Sequence, residues 1–285
     1  MEPRRAAVPP TVGVLHPGEM GSAVGAAVRQ SGSPTVWCQA GRGPATARRA
    51  AAADLQPVDT LEEVVSASAV ILSICPPAFA EAVSRQVLDH GFRGIYVEAN
   101  AISTERAARI ARSLDAAGIQ VVDGALFSPR RASDNIRCYL AGDAPAVAAV
   151  ADLFRNDMVT TVTMDGGVGT ASALKMAHSS FQKAARPLAA LAYALAAASG
   201  VSDHLMTEAA GTVSPLAQPE RLPTVASKAW RWVPEMEEVA ATLTAHGLPA
   251  DSANAAAALL RRWADHRDDR DKTIDEVLRS LTTPQ

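Results

Sequence analysis

The order of strand-like and helix-like segments constrains this chain more than any other sequence feature. From about Thr11 to Met164, short runs rich in β-branched residues alternate with longer Ala-rich stretches. This alternation is typical of βαβ units around a mostly parallel sheet. After Gly169 the strand-like runs stop. The sequence therefore predicts an α/β fold, with a doubly wound sheet at residues 1–165 and an all-helical C-terminal domain at residues 166–285.

The individual elements follow from β-branched runs, capping residues and breaks. The predicted strands are Thr11–Leu15, Pro34–Cys38, Ala69–Cys75, Gly94–Glu98, Gln120–Gly124, Ile136–Ala141 and Val159–Met164. The predicted helices are Glu19–Gln30, Pro44–Ala53, Leu61–Ser66, Ala78–His90, Thr104–Ala117 and Ala144–Phe154. One long interdomain helix is predicted from Thr170 to Ser199, with a kink at Pro187 and Gly200 as its C-terminal glycine. Further helices are predicted after it, with breaks near Pro215–Pro223, Gly247–Pro249 and Arg267–Asp271.

Composition and charge limit the class of partner. The 285 residues carry a formal net charge of −3 and only 4% aromatic residues, which argues against binding to nucleic acid or to an anionic membrane surface. No apolar run reaches the roughly 18 residues that a membrane span needs, and no signal peptide is apparent. The three cysteines lie far apart and His and acidic residues do not cluster, so neither a disulfide framework nor a metal site is expected. A small-molecule partner and a cytoplasmic location are the predictions.

The first predicted strand leads into a loop with the features of a phosphate-binding site. Its residues are His16, Pro17, Gly18, Glu19, Met20 and Gly21. A pyrophosphate needs backbone N–H groups at a helix N-terminus and glycines where it approaches closely, which Gly18 and Gly21 would supply. The first glycine of the usual G-x-G-x-x-G pattern is His16 here, so this residue must tolerate a tight turn. The alternative is an ordinary strand-to-helix turn, and the position after the first strand favours a Rossmann dinucleotide site.

The end of the second strand indicates which nicotinamide cofactor is bound. The chain reads Trp37-Cys38-Gln39-Ala40-Gly41-Arg42, without a carboxylate. An acidic residue there would bind the ribose of NAD, whereas a basic residue suits the 2′-phosphate of NADP. Gln39 and Arg42 are therefore assigned to cofactor binding and NADPH is preferred, with NAD possible. The alternative is that Arg42 is a surface arginine.

Four segments carry a resemblance to a known group of enzymes. Val12–Gly21 and Ser73–Pro77 resemble the 3-hydroxyisobutyrate and 6-phosphogluconate dehydrogenase superfamily. Gly166–Lys175 looks like the glycine-led entry to its interdomain helix, where the catalytic lysine sits. Ala229–Val239 looks like the C-terminal domain of a poorly characterised branch, related to imine reductases.

The resemblance implies a Rossmann domain, a long connecting helix, a helical domain and commonly a homodimer. It assigns Cys75, Pro76 and Pro77 to the cofactor and Lys175 to proton transfer. The superfamily's substrate loop appears here as Asp123-Gly124-Ala125-Leu126-Phe127-Ser128-Pro129, without its Ser-Gly-Gly. Ser179 replaces the asparagine usually found four residues after the lysine. These departures argue against a standard short β-hydroxyacid as the substrate.

The residues themselves suggest the chemistry. Reduction of a carbonyl generates an alkoxide that must be protonated, and Lys175 could donate that proton or accept one in reverse. On a helix Ser179 shares its face and His178 lies on a neighbouring line, so both are assigned to the catalytic site. Two further residues, Asn100 and Ser103, follow a parallel strand at the edge where such sheets bind ligands. The alternatives are a packed or solvated His178 and an Asn100 that caps the next helix.

Other residues and functions stay open at this stage. Arg130 or Arg131 could clamp a carboxylate or phosphate, or lie on a surface loop. Of Trp230 and Trp232, one is expected to pack in the helical core or dimer interface and the other to cover substrate. Three functions are considered: a dehydrogenase or reductase acting on a carbonyl/hydroxyl pair, an imine reductase, and a dinucleotide sensor without catalysis.

Overall fold

A computed structural model describes residues 9–128, 135–211 and 215–282 of the chain. The chain divides into two compact units, Met1–Lys175 and Met176–Gln285. This division falls inside a helix, whereas the predicted domain boundary at residue 165 precedes that helix. The predicted boundary therefore stays a prediction, and each unit is described by itself below.

The first unit contains a single sheet whose eight described strands have the order β3-β2-β1-β4-β5-β6-β7-β8. The strands are β1 Val12–Leu15, β2 Thr35–Cys38, β3 Gln56–Val58, β4 Val70–Ser73, β5 Ile95–Glu98, β6 Gln120–Phe127, β7 Ile136–Gly142 and β8 Val159–Thr163. All neighbouring pairs are parallel except β6 with β7. The chain order reverses between β1 and β4, which is the position where doubly wound sheets bind ligands. The predicted Rossmann fold is confirmed.

Helices cover both faces of this sheet and bury its apolar side chains. They are α1 Glu19–Gln30, α2 Pro44–Ala52, α3 Leu61–Ala67, α4 Ala80–Asp89, α5 Thr104–Asp115 and α6 Ala144–Ala151. One core cluster joins α1 and α6 to the sheet through Val24 and Val147. The other joins α3, α4 and α5 through residues such as Val83 and Ile110. Each fully buried side chain of this size contributes about 1.5–3 kcal/mol, so the two clusters fix the strand ends that form the site.

Two strands differ from their predictions. The sequence predicted no strand at β3, which contains Pro57; a proline lacks the N–H donor, but an edge strand such as β3 tolerates it. Strand β6 extends to Phe127 rather than ending at Gly124, because its second half pairs with β7. That extension places Leu126 and Phe127 beside the first turns of the helix that begins at Thr170, where they contact Lys175.

The predicted single helix from Thr170 to Ser199 is wrong. The structure has two helices, α7 Thr170–Gln182 and α8 Ala185–Ala198, separated by a turn. The cause is Pro187, which cannot donate to the carbonyl of Lys183 and whose ring crowds that carbonyl, so the helix breaks one turn before the proline. The predicted end is confirmed, since Gly200 has φ 70° directly after α8 and suits a C-terminal glycine.

The second unit has helices and turns only among its described residues. After α8 come α9 Ser202–Ala210, α10 Leu222–Ala245, α11 Asp251–Arg261 and α12 Ile274–Thr282. The breaks between them match those predicted from the sequence. Trp263 is fully buried and its Nε1 donates to the Val277 carbonyl at 3.0 Å, so it ties the end of α11 to α12. None of the helices described is both long and apolar enough to cross a membrane.

Candidate functional site

The carboxyl ends of β1, β4, β5 and β6 form one edge of the first unit's sheet, and most predicted site residues follow them. The loop after β1 begins at His16, whose backbone has φ 67°. This is the left-handed conformation that the glycine of the usual pattern would adopt without strain. His16 therefore adopts the tight turn that was predicted from the sequence, at a conformational cost.

The geometry of this loop fits a dinucleotide pyrophosphate. Helix α1 begins after Gly18, which has no side chain with which to cap the first-turn N–H groups. A Cβ on Gly21 would lie 2.6 Å from the His16 carbonyl oxygen, so only glycine allows this close turn. A Cβ on Gly18 would meet only that same oxygen, 4.0 Å away, so its outer side is open. The N-terminus of α1 can thus approach a phosphate directly.

The imidazole of His16 is held neutral. Burial, together with the positive charge of Arg42, lowers the pKa of His16 to about 4, although a hydrogen bond from the imidazole to the Leu15 backbone carbonyl opposes the fall. Its Nδ1 is buried and has no hydrogen-bond partner among the described residues. A buried polar atom of this kind fits a loop that accepts a bound group.

The second and third strands bring opposite charges to the same sheet edge as this loop. Arg42 and Gln39 are both exposed after β2, as a cofactor contact requires. The structure adds Asp59 from the end of β3, whose Oδ1 accepts a hydrogen bond from Gln39 Nε2 at 2.7 Å. Sequence reasoning missed this carboxylate because it considered only the end of β2 and did not predict β3.

A second basic residue also reaches the loop. Arg49 of α2 contacts the Pro17 carbonyl through Nε at 3.5 Å and donates to Thr46 Oγ1 at 3.1 Å. Its position in the Ala-rich helix α2 gave no signal for this contact, which depends on how α2 packs beside the loop.

Asn100 joins two strand ends. Its Oδ1 accepts the backbone N–H of Cys75, and its Nδ2 donates to Ser73 Oγ at 3.0 Å. Asn100 does not cap α5; Ser103 does, with its Oγ accepting the Arg106 N–H at 3.4 Å. The alternative that Asn100 is a helix cap is therefore wrong, and its amide instead holds the segment from Cys75 to Pro77 against β5.

Burial controls the two ionisable groups beside Asn100. Glu98 is fully buried, and its desolvation raises the pKa of the carboxyl to about 8 against the hydrogen bonds from Asn100. Burial likewise raises the pKa of the Cys75 thiol to about 12, with the charge of Glu98 adding to the rise. Cys75 is thus a neutral thiol at this position, and Glu98 carries a proton at neutral pH.

Lys175 lies against the extended part of β6. Its Nζ donates to the Leu126 carbonyl oxygen at 2.8 Å and lies 4.7 Å from the centroid of the Phe127 ring. That ring packs edge-on against Tyr139, with 5.4 Å between the centroids. Since Leu126 and Phe127 end a strand, the lysine ammonium lies at the same sheet edge as the loop from His16 to Gly21.

The other predicted catalytic residues on α7 fall in the second unit. His178 is exposed. Ser179 is buried and donates to Glu235 Oε1 at 2.6 Å. The buried Glu235 also accepts from Lys183 Nζ, which lies 5.2 Å from the Trp232 ring centroid. Catalytic roles for His178 and Ser179 stay predictions. Glu235 was missed because its partners lie on another helix, far away in sequence.

The roles expected for Trp230 and Trp232, one in the helical core or dimer interface and the other over the substrate, stay predictions. Trp230 and Trp232 are both half-buried. Trp230 donates through Nε1 to Asp268 at 3.2 Å and stacks with the guanidinium of Arg267, 4.0 Å from its centroid. The tryptophan in the helical core is Trp263. Arg130 and Arg131 lie outside the described residues. Within the described ranges, no three His, Cys, Asp or Glu residues are grouped to hold a metal ion.

Comparison with solved structures identifies the fold. The 3-hydroxyisobutyrate dehydrogenase of Mycobacterium tuberculosis, solved with L-serine, superposes with a TM-score of 0.70 at 17% identity, covering 96% of this chain and 100% of that one. The chain has the fold of the 3-hydroxyisobutyrate dehydrogenases. The imine reductase of Myxococcus stipitatus with NADP⁺ shares this fold: the TM-score is 0.57 at 21% identity, covering 96% and 100% of the two chains.

A third structure and a domain match agree with this fold. The conserved protein MTH1747, of unknown function and described as similar to 3-hydroxyacid dehydrogenases, gives a TM-score of 0.63 at 24% identity, covering 90% of this chain and 97% of that one. Residues 196–263 match the domain of unknown function DUF1932. The search of curated proteins finds no match.

Proposed function

We propose that this protein is an NAD(P)H-dependent oxidoreductase that transfers hydride between a nicotinamide and a small carbonyl or hydroxyl substrate. Lys175 is its proton donor and acceptor. The observation that supports this most is the position of Lys175 Nζ. The Leu126 carbonyl holds it at the sheet edge where β1 leads into the loop from His16 to Gly21. The dehydrogenases and imine reductases of the same fold support a nicotinamide cofactor.

A bound nicotinamide would supply the hydride, and this chain's residues would do the rest. The N–H groups at the start of α1 would hold the pyrophosphate, with Gly18 and Gly21 allowing its approach. Asn100 would keep the Cys75 segment in place beside the cofactor. Lys175 Nζ would give a proton to the substrate oxygen as charge develops on it, or take the proton from a hydroxyl in the reverse direction.

An imine reductase is the second candidate. Its support is the likeness to imine reductases and the absence of the superfamily's Ser-Gly-Gly after Asp123, since a C=N substrate needs no carboxylate anchor there. A proton from Lys175 could serve the amine nitrogen equally. Reduction of cyclic imines, but of no ketone or keto acid, would favour this candidate.

The first experiment is a calorimetric titration of the protein with NADPH and NADH separately. We expect both to bind, with NADPH preferred through Arg42. Arg42→Ala should weaken NADPH binding about tenfold and leave NADH unchanged, because one charged hydrogen bond is lost. Asp59→Asn should strengthen NADPH binding, because it removes a carboxylate that repels the 2′-phosphate. Binding of neither cofactor would overturn the proposal.

The role of Lys175 is tested by turnover over a panel of keto acids, ketones, hydroxyacids and cyclic imines. Lys175→Ala should lower kcat by roughly 10²–10⁴-fold, the usual contribution of a general acid. Lys272→Ala removes a lysine whose ion pairs, with Asp269 and Glu276, lie near α12, and it serves as the matched control. Full turnover by Lys175→Ala would refute the assigned role; NADPH binding without any turnover would favour a sensor.

We also propose a homodimer that acts in the cytoplasm. Leu188, Leu191 and Leu195 recur at helical spacing on α8 and are 49%, 46% and 68% exposed, so a second copy could cover this apolar stripe. The three free cysteines suit a reducing compartment. Light scattering should show a dimer that Leu191→Glu disrupts, whereas Leu248→Glu, at an exposed leucine outside the stripe, should not. A monomeric wild-type protein would contradict this.

A further inference from the structure

The N-terminus of the lysine helix α7 is capped in an unusual way. Its N-cap residue is Gly169, which has no side chain and adopts φ 107°. The cap comes instead from Asp123 on β6. One carboxylate oxygen of Asp123, Oδ2, accepts the backbone N–H of Gly169 at 2.8 Å and that of Ser172 at 2.9 Å. The other, Oδ1, accepts the Ser172 hydroxyl at 2.7 Å.

These bonds satisfy what the start of a helix needs. The first-turn N–H groups have no partner within the helix, and an N-cap side chain normally accepts from the third residue. Ser172 is that third residue. A carboxylate also interacts favourably with the positive end of the helix dipole. Asp123 is fully buried, so the three hydrogen bonds form away from water, where losing one is costly.

Strand β6 therefore holds α7 at two points. Asp123 binds its first turn, and the Leu126 carbonyl receives Lys175 Nζ. Ser172 and Lys175 are three residues apart, so they share a helix face. Ser172 and Lys175 thus both contact β6. Any shift or rotation of the first turn of α7 would therefore move the lysine.

We propose that Asp123 is the positioning residue of Lys175: its carboxylate caps α7 from strand β6 and so fixes where the lysine ammonium lies. This inference rests on the proposed catalytic role of Lys175. Asp123 itself touches neither substrate nor cofactor in this assignment. It acts through the helix, so its loss should change proton transfer and leave cofactor affinity intact.

Three substitutions separate the capping bonds from the charge. Asp123→Ala removes all three bonds. Asp123→Asn can keep them, because its amide oxygen can accept both N–H groups while its NH₂ donates to the Ser172 hydroxyl. Ser172→Ala removes only the hydroxyl bond. If capping positions the lysine, Asp123→Asn should behave like wild type, whereas Asp123→Ala should not. The effect of Ser172→Ala should be intermediate between those of the two Asp123 variants.

The first measurement needs neither cofactor nor substrate. The rate at which trinitrobenzenesulfonate modifies Lys175 is followed by peptide mass spectrometry, with Lys183 as the internal reference. We expect Asp123→Ala to change the Lys175 rate several-fold at an unchanged Lys183 rate, and Asp123→Asn to stay within about twofold of wild type. An unchanged Lys175 rate in folded Asp123→Ala would overturn the inference and would leave the proposed function standing.

The second measurement compares the change in kcat with the change in NADPH affinity. A misplacement of about 1 Å can cost roughly 100-fold in rate, so Asp123→Ala should lower kcat by about that factor with NADPH affinity unchanged. Equal losses in kcat and in NADPH affinity would indicate a general structural role and overturn the inference. If Asp123→Ala does not fold, Ser172→Ala decides: a Lys175 rate and kcat both equal to wild type would contradict the capping role.

Discussion

Two parts of the same sheet edge differ in whether their buried polar groups are hydrogen-bonded. On β6, Asp123 receives three hydrogen bonds and Lys175 is anchored on the Leu126 carbonyl. At the ends of β1 and β5, His16 Nδ1 and Glu98 Oε2 are buried and have no hydrogen-bond partner among the described residues. The first part is fully satisfied by the chain's own groups, whereas the second is not.

The difference separates two ways of building a site. A residue that must hold a helix in place requires complete bonding, because each unmade buried bond costs about 1–3 kcal/mol. Residues that line a ligand-binding loop keep hydrogen-bonding capacity for another group. Their unsatisfied polar atoms lower the stability of the folded chain. Both unsatisfied groups are titratable, so their cost should appear as a dependence of stability on pH.

Glu98 and Asp123 make the sharpest contrast, because they lie directly opposite each other on adjacent strands. Side chains opposite in register share one face of the sheet. Burial raises the pKa of the Asp123 carboxyl, and hydrogen bonds from Ser172 and Gly169 oppose that rise. Among the described residues Glu98 is bonded by Asn100 alone, through its backbone N–H at 3.0 Å and its side chain, and two neighbouring carboxylates repel each other. For Glu98, desolvation outweighs these bonds and raises the pKa to about 8, so this carboxyl keeps its proton at neutral pH.

The largest predicted effect concerns Glu98. The pKa of its carboxyl is about 8 in the folded chain against an ordinary 4.5, so between these values the folded state binds a proton that the unfolded state has released. Stability contributed by this group should fall as pH rises from about 5 to about 8, by up to about 1.4 kcal/mol per pH unit. Glu98→Gln imitates the protonated acid and should remove this slope.

Chemical denaturation at pH 5 and at pH 8 measures the effect. Wild type and Glu98→Gln should have similar unfolding free energies at pH 5, and the variant should be the more stable one at pH 8. Glu63→Gln is a matched control, because Glu63 is an exposed carboxylate that accepts from the Asp59 N–H in a helix cap. Equal pH slopes for wild type and Glu98→Gln would show that the two strand ends do not differ as described.

The sequence was sufficient to predict most strands of the sheet and the tight turn after β1, because both depend on local patterns. Strand and helix periodicity, the glycines and the left-handed position at His16 are each readable within a few residues. The broken helix at Pro187 shows the limit: a proline's effect was anticipated, but whether it kinks or divides the helix depends on packing around it.

The site residues that were missed depend on contacts between distant parts of the chain. Asp123 stands 46 positions before Gly169, and Asp59 stands 20 after Gln39. Such pairs become visible only when neighbouring strands are in register. For the same reason, Asn100 could be placed at the correct edge from sequence, while its partners Ser73 and Cys75 could not be identified.

A smaller effect is predicted at His16, where both the backbone and the imidazole carry a cost. A side chain at φ 67° costs roughly 1–2 kcal/mol relative to glycine. The pKa of His16 is about 4 against an ordinary 6.5, so between these values only the unfolded state takes up a proton. This contribution to stability is therefore lost as pH falls from about 6.5 to about 4, opposite in sign to that of Glu98.

The pair His16→Gly and His16→Ala separates the two costs. Both remove the imidazole and should abolish the loss of stability between pH 6.5 and pH 4, but only glycine relieves the backbone. At pH 7, His16→Gly should therefore be more stable than His16→Ala by about 1 kcal/mol in denaturant unfolding. Equal stability of the two variants would mean that the turn does not strain its first residue. In that case the difference between the two parts of the sheet edge would rest on side-chain bonding alone.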